Sequence, residues 1–289
     1  MTRAPRLLVV EGNTPRARAR QTESMGYTYS EGYSEVLRSL APDAVIDVCF
    51  PADEGANIPD SSGLEGYDGV AITGSSLNLY KAEPESMRQV ELVRSVFETG
   101  VPMFGSCWGL QVGAVAAGGT VVLSKNGREI GLARKIVLTE AGRDHPMFAG
   151  KPLGFDAPAV HTDEVGERPA GMTVLAANAH SEVQAAEIRH GKGTFWGVQY
   201  HPEFSLHDMA AVFRRYGKVL VEEGPFRDMD GLETHIADLK TLHADPSRKD
   251  IAWRLGYDAD VLDPARRLTE IRNFIENLVL PTMSVRGRA

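Results

Sequence analysis

The sequence predicts an α/β fold, doubly wound around a mostly parallel sheet with an antiparallel extension. Three observations carry this. Short apolar runs bounded by Gly, Pro, Asp or Asn recur through the first two-thirds of the chain, and amphipathic segments with helical spacing separate them. From Thr120 to Val174 the runs shorten and turn signals such as Asn126-Gly127 appear, the pattern of antiparallel strands added to that sheet.

Leu7–Val10, Val45–Phe50, Gly69–Thr73 and Val101–Phe104 read as buried strands,. Glu83–Thr99 reads as a helix, because Met87, Val90, Val93, Val96 and Phe97 recur at helical spacing while Glu85, Arg88, Glu91 and Glu98 fall elsewhere,. Val121–Leu123 and Ala133–Leu138 are the β-like runs of the expected extension. Thr194–Tyr200 is a further strong strand, and Leu206–Glu223 an amphipathic helix stopped at Gly224-Pro225,. Residues 226–289 carry no strand pattern. Helices are expected over roughly Leu232–His243, Pro246–Leu255 and Pro264–Leu280, with Asp245-Pro246 and Asp263-Pro264 as capping pairs and Gly256 as a stop,. Leu268, Ile271, Ile275, Leu278 and Val279 form one apolar stripe that needs a partner surface,. The expected organisation is a catalytic domain over residues 1–225 and a helical C-terminal extension over 226–289.

Composition narrows the function. The chain has 289 residues, 43% hydrophobic and 24% charged, so a proper core is affordable and disorder is excluded,. Its 31 basic against 39 acidic side chains give a net charge of −8, which disfavours nucleic acid or an anionic membrane as partner. Two cysteines, Cys49 and Cys107, are too few for a disulfide framework, and with no signal-peptide core at the N-terminus the expected compartment is the cytoplasm,. No His-Glu-x-x-His, Cys-x-x-Cys pair, phosphate loop or Gly-x-Gly-x-x-Gly occurs, so neither a metal nor a nucleotide cofactor is expected. Arg16, Arg18 and Arg20 form a small basic cluster expected in the loop after the first strand.

The chemistry is concentrated in two places. In Gly105-Ser106-Cys107-Trp108-Gly109 a buried strand runs straight into a small-residue helix. This is a nucleophile elbow with Cys in place of Ser. The glycines remove side chains that would collide around the turn. The helix N-terminus favours the thiolate, and the Trp108 backbone N–H points to where an oxyanion would develop. Cys49, inside a strand, reads as a packed core thiol. The second place is Gln199-Tyr200-His201-Pro202-Glu203. His201 follows directly on a strand, at the end of the sheet where active sites of open α/β folds gather. Glu203, two residues on in extended chain, projects to the same side and can orient the imidazole.

With both blocks read, the chain resembles the class I glutamine amidotransferase family, whose architecture is flavodoxin-like. The resemblance rests on GSCWGLQ and GVQYHPEFS, covers roughly residues 6 to 222, and is nearest to the amidotransferase domain of GMP synthase and its stand-alone relatives. It implies Cys107 as nucleophile, His201 as general base and acid, and Glu203 as the orienting carboxylate. It places Gln111 at the substrate, completes the oxyanion hole with the backbone of Gly74 and Ser75, and puts His161, Thr162 and Asp163 near the amino-acid end of the substrate. Gly74-Ser75-Ser76 departs from the Gly-Gly-Pro or Gly-Pro-Gly usual in the family. The implied reaction is hydrolysis of the side-chain amide of glutamine through a γ-glutamyl thioester, with ammonia passed to a separate synthase subunit, since no synthase fits in 226–289. Two other readings stay open: a stand-alone hydrolase of another γ-glutamyl amide, and a non-catalytic scaffold. A different group of cysteine-elbow proteins would use an acid at the end of the first strand, where Glu11 stands.

Overall fold

Alternate side chains of the first strand are buried on opposite faces, which is why the sheet must be covered twice. In the computed structural model, which describes residues 3–56 and 58–288, Leu7 and Val9 join one core cluster while Leu8 and Val10 join another,. Met1, Thr2, Asn57 and Ala289 lie outside the described residues, and with them the outermost ends of the two expected segments.

Five parallel strands form one part of the sheet: β1 (Arg6–Val10), β2 (Val45–Cys49), β3 (Gly69–Ile72), β4 (Met103–Ser106) and, from far along the chain, a strand at Gly193–Val198. Numbered in chain order, the intervening strands are β5 (Val121–Leu123), β6 (Glu129–Leu138), β7 (Gly154–His161), β8 (Asp163–Val165), β9 (Met172–Ala177) and β10 (Ala185–His190), which makes Gly193–Val198 β11. The main sheet has nine strands in the order β2-β1-β3-β4-β11-β10-β9-β6-β7, and everything beyond β11 is antiparallel. The expected parallel sheet with its antiparallel extension is therefore present. Two runs depart from expectation: Val45–Phe50, read as a buried strand, is the edge strand of the sheet with Val45 and Val48 exposed, and Val121–Leu123 does not extend the main sheet but pairs with β8 in a separate two-stranded ribbon. Val122 and Leu123 are exposed there, so their apolar character does not signal burial in the main sheet.

The helices that matter to the site are α1 (Pro15–Met25), α2 (Tyr29–Leu40), α3 (Pro84–Thr99), α4 (Trp108–Ala116), α5 (Leu206–Glu222) and α6 (Met229–Ala244). Arg16, Arg18 and Arg20 lie on α1 rather than in a loop, because Thr14 caps that helix and Pro15 opens it,. Arg18 turns inward to Asp53 at 2.7 Å. Val90, Val93, Val96 and Phe97 of α3 cover the sheet face built from Leu8, Val10, Val70 and Ile72. The opposite face, with Leu7, Val9, Ala71 and Phe104, is covered by Tyr33 and Leu37 of α2 and by the C-terminal stripe Leu268, Ile271, Phe274, Ile275, Val279 and Met283.

The C-terminal segment is thus in contact with the sheet itself. Its first helix, α6, pairs with α5, burying Leu232, Ile236 and Leu239 against Val212, Phe213 and Leu220. The next helix begins at Lys249, not at Pro246, since Asp245 ends α6 and its carboxylate accepts from Ser247. Asp263 does cap the turn that starts at Pro264. The expected helix over Pro264–Leu280 is present with one interruption, at Leu268, and runs on to Val285; it widens to i→i+5 turns over Phe274–Val279 before Pro281, which has no N–H to give to the preceding turn. Buried polar groups tie this segment down: Glu270 receives Lys151 Nζ at 2.9 Å and the Tyr200 hydroxyl at 2.6 Å, and Asn273 donates to the carbonyls of Met147 and Ala149. Among the described residues no helix is long and apolar enough to cross a membrane.

Candidate active site

The candidate site lies at the C-terminal edge of the parallel strands, where β4 and β11 end side by side. Val198 pairs with Ser106, and the next N–H, that of Cys107, donates to Val198 O at 2.7 Å. Cys107 then adopts φ 52°, ψ −101° as the chain turns into α4. A positive φ at a non-glycine is costly and marks a backbone held by its surroundings. The flanking glycines are required by close approach: a Cβ on Gly105 would stand 2.6 Å from the Gly109 carbonyl carbon, and one on Gly109 would stand 2.7 Å from Ile72 O. The Trp108 indole is fixed by Gln89 Oε1 at 2.7 Å. Its backbone N–H opens α4, where helix N–H groups have no intrahelical acceptor.

His201 is held on three sides. Its N–H donates to Pro158 O at 2.7 Å, and its ring stacks on Phe204 at 4.0 Å. The third side is Gly74, where a Cβ would come 2.7 Å from the His201 Cε1. Nδ1 meets Glu203 Oε1 at 2.8 Å, so Nδ1 carries a hydrogen and Nε2 is left to exchange a proton with a neighbour. The other Glu203 oxygen accepts from Ser106 Oγ at 2.9 Å, and Tyr33 Oη lies 3.3 Å from that same Oγ. Cys107 and His201 line one narrow cleft, where the Cys107 thiol donates to Val160 O at 3.7 Å. Burial alone would lower the imidazole pKa, but Glu203 and the Cys107 sulfur together raise it, to about 10. The ring is thus biased toward its protonated form beside the Cys107 sulfur, the form that can give a proton to a leaving amine,. Burial pushes the Cys49 thiol the other way from reactivity, up to about 12.

The remaining predicted residues fall around the same cleft. The Gly74–Ser76 turn forms one wall and is pinned by Asn13, whose Oδ1 accepts from Ser76 N at 3.1 Å. Gln111 is almost fully buried, with Nε2 donating to Asp163 O at 2.9 Å. The carboxylate of Asp163 accepts from Asn78 Nδ2 at 2.7 Å and from Thr162 Oγ1. His161 borders the cleft, but both ring nitrogens are directed elsewhere: Nε2 to Glu129 Oε2 at 2.8 Å and Nδ1 to Asp163 O at 3.0 Å. Glu11 does not approach the cysteine; its carboxylate accepts from Asn13 and from Ser30 N in the first turn of α2.

Several residues of the cleft were not anticipated. Ser106 lies inside the elbow motif, but only the fold shows that it braces Glu203. Arg215 and Tyr216 reach the cleft from α5, with Arg215 donating to Tyr29 Oη at 2.8 Å. Arg128 lies over the Tyr216 ring at 4.9 Å and pairs with Glu223. The Asn126-Gly127 turn just before Arg128 was the one available signal for it; the others arrive through tertiary packing alone.

The family model "Glutamine amidotransferase class-I" matches residues 36–217. The chain belongs to that family. Among its amidotransferase relatives, γ-glutamyl-L-1-hydroxyisopropylamide hydrolase of Pseudomonas sp. is 37% identical over 285 residues, covering 96% of this chain and 94% of that protein. The GMP synthase of Thermomicrobium roseum is 33% identical over 147 residues, 51% of this chain but 25% of the synthase. A glutamine amidotransferase of Thermotoga maritima has the same fold, with a TM-score of 0.63 at 20% identity, covering 96% of this chain and 99% of that one. The chain is an enzyme of the amidotransferase and γ-glutamyl amide hydrolase type.

Proposed function

We propose that this protein is a free-standing γ-glutamyl amide hydrolase whose substrate carries a small amine, in the way the Pseudomonas relative's does. The observation that carries this reading is the extent of that likeness: it runs through the C-terminal segment, whereas the likeness to GMP synthase stops at half of the chain. In the proposed reaction Cys107 attacks the γ-carbonyl carbon, and the oxyanion is met by backbone N–H groups of Trp108 and the Gly74–Ser75 turn. The C–N bond breaks as His201, held by Glu203, gives its proton to the departing amine. Water then adds to the γ-glutamyl thioester, His201 takes a proton from it, and glutamate leaves with the thiol restored. Arg128 and Arg215 at the cleft supply positive charge for the α-carboxylate of the γ-glutamyl group, with Gln111, Thr162 and Asp163 on the same side. The small number of cysteines supports work in a reducing cytoplasm.

A second reading, glutamine hydrolysis with ammonia delivered to a separate synthase subunit, is favoured by the GMP synthase likeness. Steady-state kinetics on the isolated full-length chain separates the two. The proposal expects kcat/KM for a γ-glutamyl hydroxyalkylamide to exceed that for glutamine, without any added protein. Turnover of glutamine alone, or only after a synthase is supplied, would favour the second reading; no turnover of either would favour a scaffold.

A further inference from the structure

Glu129 opens β6 and His161 closes β7, and the two face each other across the antiparallel pair. His180 comes to the same place from the loop after β9, and one ligand atom from each residue lies within 4.8 Å of the others. Among the described residues this is the one such group of His, Cys, Asp and Glu side chains. Three features of its hydrogen bonding point to a cation.

The first is a proton count. His161 Nδ1 meets only the carbonyl oxygen of Asp163, at 3.0 Å. A carbonyl accepts and does not donate, so Nδ1 carries the ring hydrogen. The lone pair is then on Nε2, 2.8 Å from the carboxylate oxygen of Glu129. A lone pair and an anion at that distance need a positive centre between them, either a second proton or a metal ion.

The second feature is the unused capacity around it. His180 Nε2 is buried without a hydrogen-bond partner, and so is Gln184 Oε1. Buried polar groups are rarely left unpaired, and an unpaired one commonly marks a missing water or ion. The His180 ring stands edge-on to His161, with centroids 5.6 Å apart.

The third is the orientation of the ligands by their neighbours. Glu129 accepts from Asn178 Nδ2 at 2.7 Å on one oxygen and from Gln184 Nε2 at 2.7 Å on the other. Asn178 in turn closes the loop that carries His180, accepting from His180 N and Ser181 N. A histidine held by a backbone carbonyl and a carboxylate held by amides are how protein metal ligands are usually aimed.

We propose that Glu129, His161 and His180 form a binding site for a divalent transition-metal ion of the zinc type, with water as the fourth ligand beside Gln184 Oε1. Two imidazoles and one carboxylate are a donor set that such ions favour. A tetrahedral ion with bonds of about 2.1 Å places its ligands about 3.4 Å apart. The Glu129–His161 contact opens slightly to reach that, and His180, half-buried on a turn, swings inward. The ion takes over the lone pair on His161 Nε2, and it ties the 178–181 loop to the end of β7, next to Thr162 and Asp163 at the cleft. The inference is independent of which amide the enzyme hydrolyses.

Isothermal titration of the metal-stripped full chain with zinc chloride tests it, using Cys107→Ala protein so that the cleft thiol cannot hold the ion. The expected result is one saturable equivalent, with affinity falling by about tenfold or more in His180→Ala. The same protein loaded with cobalt should show the visible bands of a tetrahedral site, absent in His180→Ala. His180 is a loop residue, so its replacement keeps the test valid even if Glu129→Gln does not fold. No saturable binding, or equal affinity in the His180→Ala protein, overturns the proposal and leaves a proton between Glu129 and His161.

Discussion

Cys49 and Cys107 stand at the ends of two parallel strands of one sheet, and their surroundings diverge within a single residue. Cys49 ends β2 among apolar neighbours of the core, and burial raises its pKa to about 12. Cys107 lies one residue beyond β4, where the backbone takes a positive φ, a helix begins, and the His201 ring lines the same cleft. The thiol is the same group in both. The turn, the helix N-terminus and the imidazole make the difference.

The largest expected effect breaks this comparison at its centre. Cys107→Ala should lower hydrolysis of the preferred γ-glutamyl amide by about 10⁴-fold or more. Cys49→Ala should leave kcat unchanged in the same assay, and a matching loss in both variants would show that the two strand ends are not chemically distinct. Next in size is His201→Ala, expected to reduce kcat by about 10²–10⁴-fold. A wild-type kcat in that variant would require another base near the cleft.

A structural arm of the comparison concerns what holds β11 in place. Tyr200, the residue before His201, is tied to Glu270 of the C-terminal segment, which also neutralises buried Lys151. Removing one partner of a buried pair strands the other charge, so Glu270→Ala should lower unfolding free energy by about 3–5 kcal/mol in urea titrations. Unchanged stability would mean that the C-terminal segment contributes little to the strand end.

The smallest expected effect is a shift in pH dependence. The folded pKa of His201 is raised above its ordinary value of 6.5, to about 10. Its contribution to stability is therefore fully present below about pH 6.5 and is lost as pH rises through about 10. In the proposed reaction the same proton goes to the departing amine, so the alkaline limb of kcat/KM should lie near pH 10,. Glu203→Gln removes the carboxylate that raises the pKa, and the limb should move toward neutral pH. An alkaline limb that stays in place would show that Glu203 does not set the charge on the ring.

The inner parallel strands were legible because they are apolar on both faces, as in Leu7–Val10 and Gly69–Ile72, whereas β2 at the edge is apolar in sequence but exposed at Val45 and Val48. The antiparallel half was less so. Gly154–His161 contains Asp156 and Pro158, and Ala185–His190 ends in Arg189 and His190; strands with a solvated face or edge do not form continuous apolar runs,. The C-terminal stripe was visible as a pattern, but a stripe does not name its partner, and the sheet face it meets was unknowable from spacing. The same holds for the cleft. Cys107, His201 and Glu203 sit in short motifs, whereas Tyr33, Arg128, Arg215 and Tyr216 come from positions with no local pattern. His161 illustrates the limit: its neighbour Glu129 is 32 residues away in the chain and meets it only through the β6–β7 register.

In the proposed mechanism the elbow, rather than the thiol as such, creates the nucleophile. Treating the protein with the glutamine-mimicking electrophile diazo-oxo-norleucine and mapping the modified peptide by mass spectrometry tests it most directly. One label is expected, on Cys107, with Cys49 unmodified and activity lost in step with labelling. A label on Cys49 with Cys107 untouched, or full activity after Cys107 is labelled, would contradict it.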